Sequence, residues 1–264
     1  MPVEIEVNSS DQSMKDQRKA LAMRVRDYFG SCLLSSRKLL CFLDESDPPE
    51  LRAKYGPDNR GFYGPIHGRF IRDSETLTDV PDYVTACIFP DDGVSDPPFP
   101  RVIDELIYLY GSTCADEVGL AIILAHELQH AIQHANVRKL WAVNGLVFNL
   151  DRNVFDALKL RWANIPTERE ARIVSKRMAV HFFGEKRVLQ YIDEKIAENV
   201  TEPDAADWRF VRTLQPSSTV DLDAETKQLF SRLRVHKAEL EAILQEKKGA
   251  SDPDFLDVDL KEYF

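Results

Sequence analysis

The sequence lacks any apolar run long enough to cross a bilayer. It also lacks an excess of positive charge. Its 34 Lys and Arg stand against 44 Asp and Glu, a net charge of -10. A nucleic-acid-binding surface is normally basic, so neither nucleic acid nor membrane is an expected partner. The N-terminus, Met1-Pro2-Val3-Glu4-Ile5-Glu6, has no charged region followed by an apolar one and does not read as a secretory signal. Cysteine is scarce, and Cys32, Cys41, Cys87 and Cys114 form neither a close pair nor a zinc spacing. Free buried thiols in a reducing cytoplasm are the expectation. No internal repeat or low-complexity tract is visible.

Histidine is also rare, at six in 264 residues, yet two of the six fall in one motif. Ala125-His126-Glu127-Leu128-Gln129-His130 has the form H-E-x-x-H. On a helix His126 and His130 stand one turn apart on one face, so both imidazoles can reach one metal ion. Neutral imidazoles suit zinc, and Glu127 beside them can take a proton from a zinc-bound water. The run Val118 to Ala125 enters the motif with no Pro and no charge, as a buried helix does. Ser112 or Thr113 is placed to cap that helix, with Asp116 and Glu117 in its first turn.

Several other elements can be placed. Helical spacing runs from about Met14 to Phe29, with Leu21, Val25 and Tyr28 on one stripe, a polar lead-in ending at Asp11, and Gly30 as a stop. Leu39 to Leu43 is a strand or the end of a helix. The stretch from Asp44 to Pro65 reads as loop because of its Gly and Pro breakers. Gly68–Arg72, Tyr83–Phe89 and Val102–Tyr110 read as strands, with a Pro-rich loop between Pro90 and Pro100. Leu140 to Leu160 is helical in part, and Pro166 reads as a break. Thr167–Phe183 follows as a helix with a Thr167-x-x-Glu170 capping box, then an amphipathic helix over Lys186–Asn199. Residues 201–222 read as a polar linker, and Ala224–Lys248 as one charged helix whose narrow Leu stripe lies on its own domain. The tail from Ser251 alternates acidic and apolar residues and reads as partly ordered.

A catalytic zinc has three protein ligands and one position for water. His134, Glu168, Glu170 and His181 are the candidates for the third ligand. His134 is disfavoured, because His126 and His134 would lie about 12 Å apart along a straight helix. It reads as a second-shell, substrate-contacting or surface residue. His67 and His236 read as solvated.

A strand, a buried H-E-x-x-H helix and a second helix opening with Glu168-Arg169-Glu170-Ala171 resemble the gluzincin class of zinc metallopeptidases. With His134 following His130, the pattern is most similar to small soluble peptidases of the ImmA/IrrE type, over roughly residues 103 to 183. Arg172 departs from thermolysin-like enzymes, which carry Asp at that position. The metzincin pattern fails, since His134 comes only eight residues after His126.

The resemblance implies an α+β, zincin-like fold: a small mixed sheet, the buried H-E-x-x-H helix and a mainly helical C-terminal part. The expected division is an N-terminal helical region over 1–55, a metallopeptidase core over 56–200, and a linker with a C-terminal helix over 201–264. The expected activity is zinc-dependent cleavage of a restricted protein or peptide substrate, with Glu127 as general base and an extended peptide adding along edge strand 102–110. The metal ligands are His126, His130 and Glu168. The resembled pattern gives the metal to its first Glu, and Glu170 is left to the capping box. His181 is the expected oxyanion donor, with Tyr108, Tyr110 and Tyr191 as other candidates. Two different functions fit the same residues: a non-catalytic, metal-stabilised binding protein, and a zinc hydrolase of a small molecule.

Overall fold

The computed structural model describes residues 3–33, 38–46, 61–65, 104–198 and 202–264. The chain is mixed α/β and mostly helical, with one small sheet. It forms two compact units, Met1–Leu128 and Gln129–Phe264. Among the described residues no helix is long and apolar enough to cross a membrane. The strands read at Gly68–Arg72 and Tyr83–Phe89, the loop between Pro90 and Pro100, His67 and Cys87 lie outside the described residues.

The first unit holds the sheet, in the order β1 (Val3–Asn8), β2 (Leu39–Asp44), β4 (Glu105–Tyr110), β3 (Gly61–Pro65). β1, β2 and β4 run parallel, and β3 is antiparallel to β4. β2 and β4 are buried at every position, which explains why Leu39–Leu43 and Leu106–Tyr110 are continuous apolar runs and not alternating ones. β1 buries only Ile5 and Val7 and alternates. Of the strand read as an edge over 102–110, the part Glu105–Tyr110 is interior: Ile107 pairs with Cys41 on one side and Tyr63 on the other. A peptide cannot add along it.

β3 corrects the loop reading of Asp44–Pro65. Gly61 and Pro65 do not break the chain there. A Cβ at Gly61 would stand against Leu109 Cδ2 and 2.5 Å from the Tyr108 carbonyl oxygen, so the glycine permits the close approach of β3 to β4.

Helix α1 (Gln12–Phe29) connects β1 to β2 as a parallel pair requires. Asp11 caps it, accepting from the Ser13 and Met14 N–H groups, and Gly30 ends it at φ 49°. At the end of β2 the buried Asp44 carboxylate accepts from Asn8 Nδ2, the Ser46 N–H and the Tyr108 hydroxyl, which ties the C-terminal ends of β1, β2 and β4. Cys41 and Cys114 are buried free thiols, and burial pushes both up to about 12. Cys32, by contrast, is exposed.

Helix α2 (Glu117–Asn136) is followed by α3 (Arg138–Val147), α4 (Arg152–Ala157), α5 (Pro166–Phe183), α6 (Glu185–Glu198), α7 (Glu202–Thr213), α8 (Leu222–Arg232) and α9 (Lys237–Gly249). Pro166 does not break the chain but begins α5, where its missing N–H costs nothing. The supposed linker is largely α7. Its polar sequence conceals two anchors: Ala205 and Val211 are buried, and Trp208 meets Tyr191 edge-on. Its C-terminal end is held by buried Lys176, whose Nζ donates to the carbonyls of Val211, Arg212 and Leu214 at 3.0, 2.8 and 2.8 Å. Burial pulls that ammonium below the usual lysine range.

The single charged helix read over Ala224–Lys248 is two helices, α8 and α9, joined through a 3-10 turn at Arg234–His236. Leu229, Leu233 and Leu240 are buried in the second unit's own core, as an ordinary packed helix and not a coiled-coil contact requires. The tail is ordered into that core through Phe255, Val258, Leu260 and Tyr263.

Asp254 fastens the tail to the end of α2. Its Oδ1 accepts from His134 Nε2 at 2.8 Å and Arg138 Nε at 2.6 Å. Burial raises its pKa, but the bonds from His134 and Arg138 outweigh burial and hold the carboxyl below the usual aspartate value of 3.8. A depressed folded-state pKa gives stability that is present above that value and is lost as pH falls through the lower one. Asp254→Ala is expected to destabilise the chain by about 1.5–3 kcal/mol near pH 7, read by urea unfolding, with the difference shrinking in acid.

Candidate metal centre

α2 begins at Asp116, whose Oδ1 accepts from the Gly119 N–H at 2.8 Å. Asp116 takes the capping role expected of Ser112 or Thr113, which instead fall in a 3-10 turn over Gly111–Cys114. The apolar stretch is buried as its composition requires, with Leu120, Ala121, Leu124 and Ala125 at most 1% exposed. The boundary between the two units falls inside this unbroken helix, so one element carries both His126 and His130. His126 is half-buried; Glu127 and His130 are buried.

The third donor is Glu168, in the first turn of α5, where a carboxylate is favoured by the helix dipole. One ligand atom each from His126, His130 and Glu168 lies within 4.8 Å of the others. The three residues could hold a metal ion. Glu168 Oε1 stands 3.0 Å from His130 Nε2. Its other oxygen, Oε2, accepts from Arg172 Nη1 at 3.1 Å, and Arg172 Nη2 donates to Asp207 Oδ2 at 2.7 Å. Glu168 thus forms an i, i+4 salt bridge with Arg172, but through the oxygen other than the one near His130. Arg172 and a metal can share the carboxylate.

Glu170 does something else. No capping box forms, because the N-cap is Ile165, which has no polar side chain, and Thr167 lies buried inside the helix. Glu170 Oε2 instead accepts from Gln129 Nε2 at 3.1 Å and Gln133 Nε2 at 2.8 Å. Gln133 also donates to the Thr167 carbonyl at 2.9 Å, and its Oε1 meets His130 Nδ1 at 2.8 Å. Sequence reading missed Gln129, Gln133 and Asp207. The spacing of Gln133, three residues past His130, is a usable signal. Asp207 had none, since its segment reads as linker.

Among the described residues the other histidines are not brought to this group. His134 is neither a surface residue nor part of the cluster: it is buried on Asp254, with its ring against Trp141. His181 is exposed at the far end of α5, thirteen residues and about 20 Å along the helix from Glu168. At that distance it cannot serve as the oxyanion donor. His236 sits 3.4 Å from Glu239. Of the tyrosines, Tyr108 gives its hydroxyl to Asp44, Tyr110 stacks on Tyr108, and Tyr191 packs on Trp208.

No family model, curated protein or solved structure matches this chain.

Glu168→Ala is expected to abolish tight metal binding, whereas Glu170→Ala keeps it with lower affinity. Titration of both purified variants against a metal-chelating dye checks the order, and tighter binding by Glu168→Ala than by Glu170→Ala would reverse the assignment.

Proposed function

We propose that this chain is a zinc-dependent endopeptidase of the gluzincin kind, with a zincin-like fold and a restricted protein or peptide substrate. The observation that carries the reading is the convergence of His126, His130 and Glu168 on the helix that also carries Glu127. Two imidazoles and one carboxylate favour zinc over magnesium or calcium, which take oxygen ligands. When bound, zinc supplies a Lewis acid that polarises a carbonyl and lowers the pKa of water.

Glu127 is the general base. Its carboxylate takes a proton from the attacking water as the water oxygen adds to the peptide carbonyl carbon. It then returns that proton to the amine nitrogen as the C–N bond breaks. A purely structural site has no use for this carboxylate, so its place next to His126 favours catalysis over a metal-stabilised binding role. His126, His130 and Glu168 hold the metal, and Arg172 keeps Glu168 turned toward it.

Glu127→Gln is expected to bind zinc like the wild type and to lose about 10²–10⁴-fold in turnover. His126→Ala should lose the metal, and with it the rise in melting temperature that bound metal confers. Metal analysis, thermal unfolding with and without zinc, and mapping of new N-termini in cells expressing wild type or Glu127→Gln test this. Wild-type cleavage by Glu127→Gln would remove the mechanism.

A further inference from the structure

We infer that Gln133, itself held by Glu170, is a positioning residue that fixes the His130 ring with its proton on Nδ1 and its Nε2 turned to the metal. The inference rests on the metal reading above and adds how the second imidazole is oriented.

The orientation of the Gln133 amide follows from its partners. One terminal atom lies 2.9 Å from the Thr167 carbonyl oxygen and 2.8 Å from Glu170 Oε2. A backbone carbonyl can only accept, so the atom facing it is the NH₂ group. The amide oxygen is then the atom 2.8 Å from His130 Nδ1. An amide oxygen also only accepts, so Nδ1 carries a proton. In the neutral ring the lone pair falls on Nε2, which stands 3.0 Å from Glu168 Oε1. Two acceptors facing each other at that distance call for a positive centre, and a metal ion is one. An imidazole that ligates through one nitrogen and donates through the other is held in tautomer and direction at once.

Glu170 completes the device. Gln129 Nε2 and Gln133 Nε2 both donate to its Oε2, so the carboxylate is fixed by two successive turns on one face of α2. A glutamine has no charge preference of its own; the Thr167 carbonyl and Glu170 together hold its NH₂ away from His130. Gln133 is 1% exposed, so water does not compete for these bonds.

The test uses the full chain in two readouts. In zinc competition with a chelating dye, Gln133→Met, which keeps the side chain's length but not its oxygen, is expected to weaken binding about 10–100-fold. In ¹⁵N-edited NMR, wild type should show an exchange-protected His130 Nδ1–H proton with or without zinc, and Gln133→Met should lose it. Glu170→Gln, which keeps an acceptor oxygen for the Gln129 and Gln133 amides, should keep the proton and most of the affinity. If Gln133→Met does not fold, the wild-type His130 spectrum carries the test alone.

Equal zinc affinity in wild type and Gln133→Met would overturn this inference and leave the metal reading standing, as would a wild-type His130 with no proton on Nδ1. Absence of zinc binding by wild type would overturn the metal reading itself, and the positioning role with it.

Discussion

The structure depends on one constraint: α2 is a buried helix that carries polar groups at His126, Glu127, Gln129, His130, Gln133 and His134. Buried polar groups are costly unless each finds a partner. Their placement requires a second element bearing acceptors, and α5 supplies it through Glu168, the Thr167 carbonyl and Glu170. Further along the helix the tail supplies Asp254 for His134. The apolar run before the motif buries its side chains without such help.

The same requirement explains why the second unit is so heavily tied by long-range polar contacts. Glu168 needs its outer oxygen satisfied, so Arg172 lies over it, and Arg172 Nη2 in turn donates to Asp207 on α7. α7 has little apolar surface of its own, and Lys176 from α5 closes its C-terminal carbonyls. A buried lysine with three carbonyl acceptors and a buried glutamate with an arginine are both local solutions to desolvation. Together they make α5 the element on which the carboxylate of the centre and its supports converge.

What could be read in the sequence was what is local. The H-E-x-x-H pair follows from a spacing of four. α1 follows from Asp11, its apolar stripe and Gly30, and β4 from its β-rich run, while Leu39–Leu43 alone does not decide between strand and helix end. Of the grounds for Glu168, the capping box fails: it does not form, and Glu170 is engaged by two glutamines from α2 instead. The features that escaped are set by distant contacts. α7 is anchored by Trp208 and Lys176, β3 by the approach of Gly61 to β4, and the turn between α8 and α9 carries no glycine or proline to mark it. His181 looked useful because it lies on the same helix as Glu168; only the helical rise shows that the two are far apart.

The central claim is that His126, His130 and Glu168 form one metal centre. Zinc K-edge absorption on the purified, zinc-loaded chain, paired with anomalous diffraction at the same edge, measures it directly. The account predicts one zinc with two imidazole nitrogens and carboxylate oxygen in its first shell at about 2.0–2.2 Å, located between α2 and Glu168. Zinc bound elsewhere, through sulfur, or not at all would contradict it.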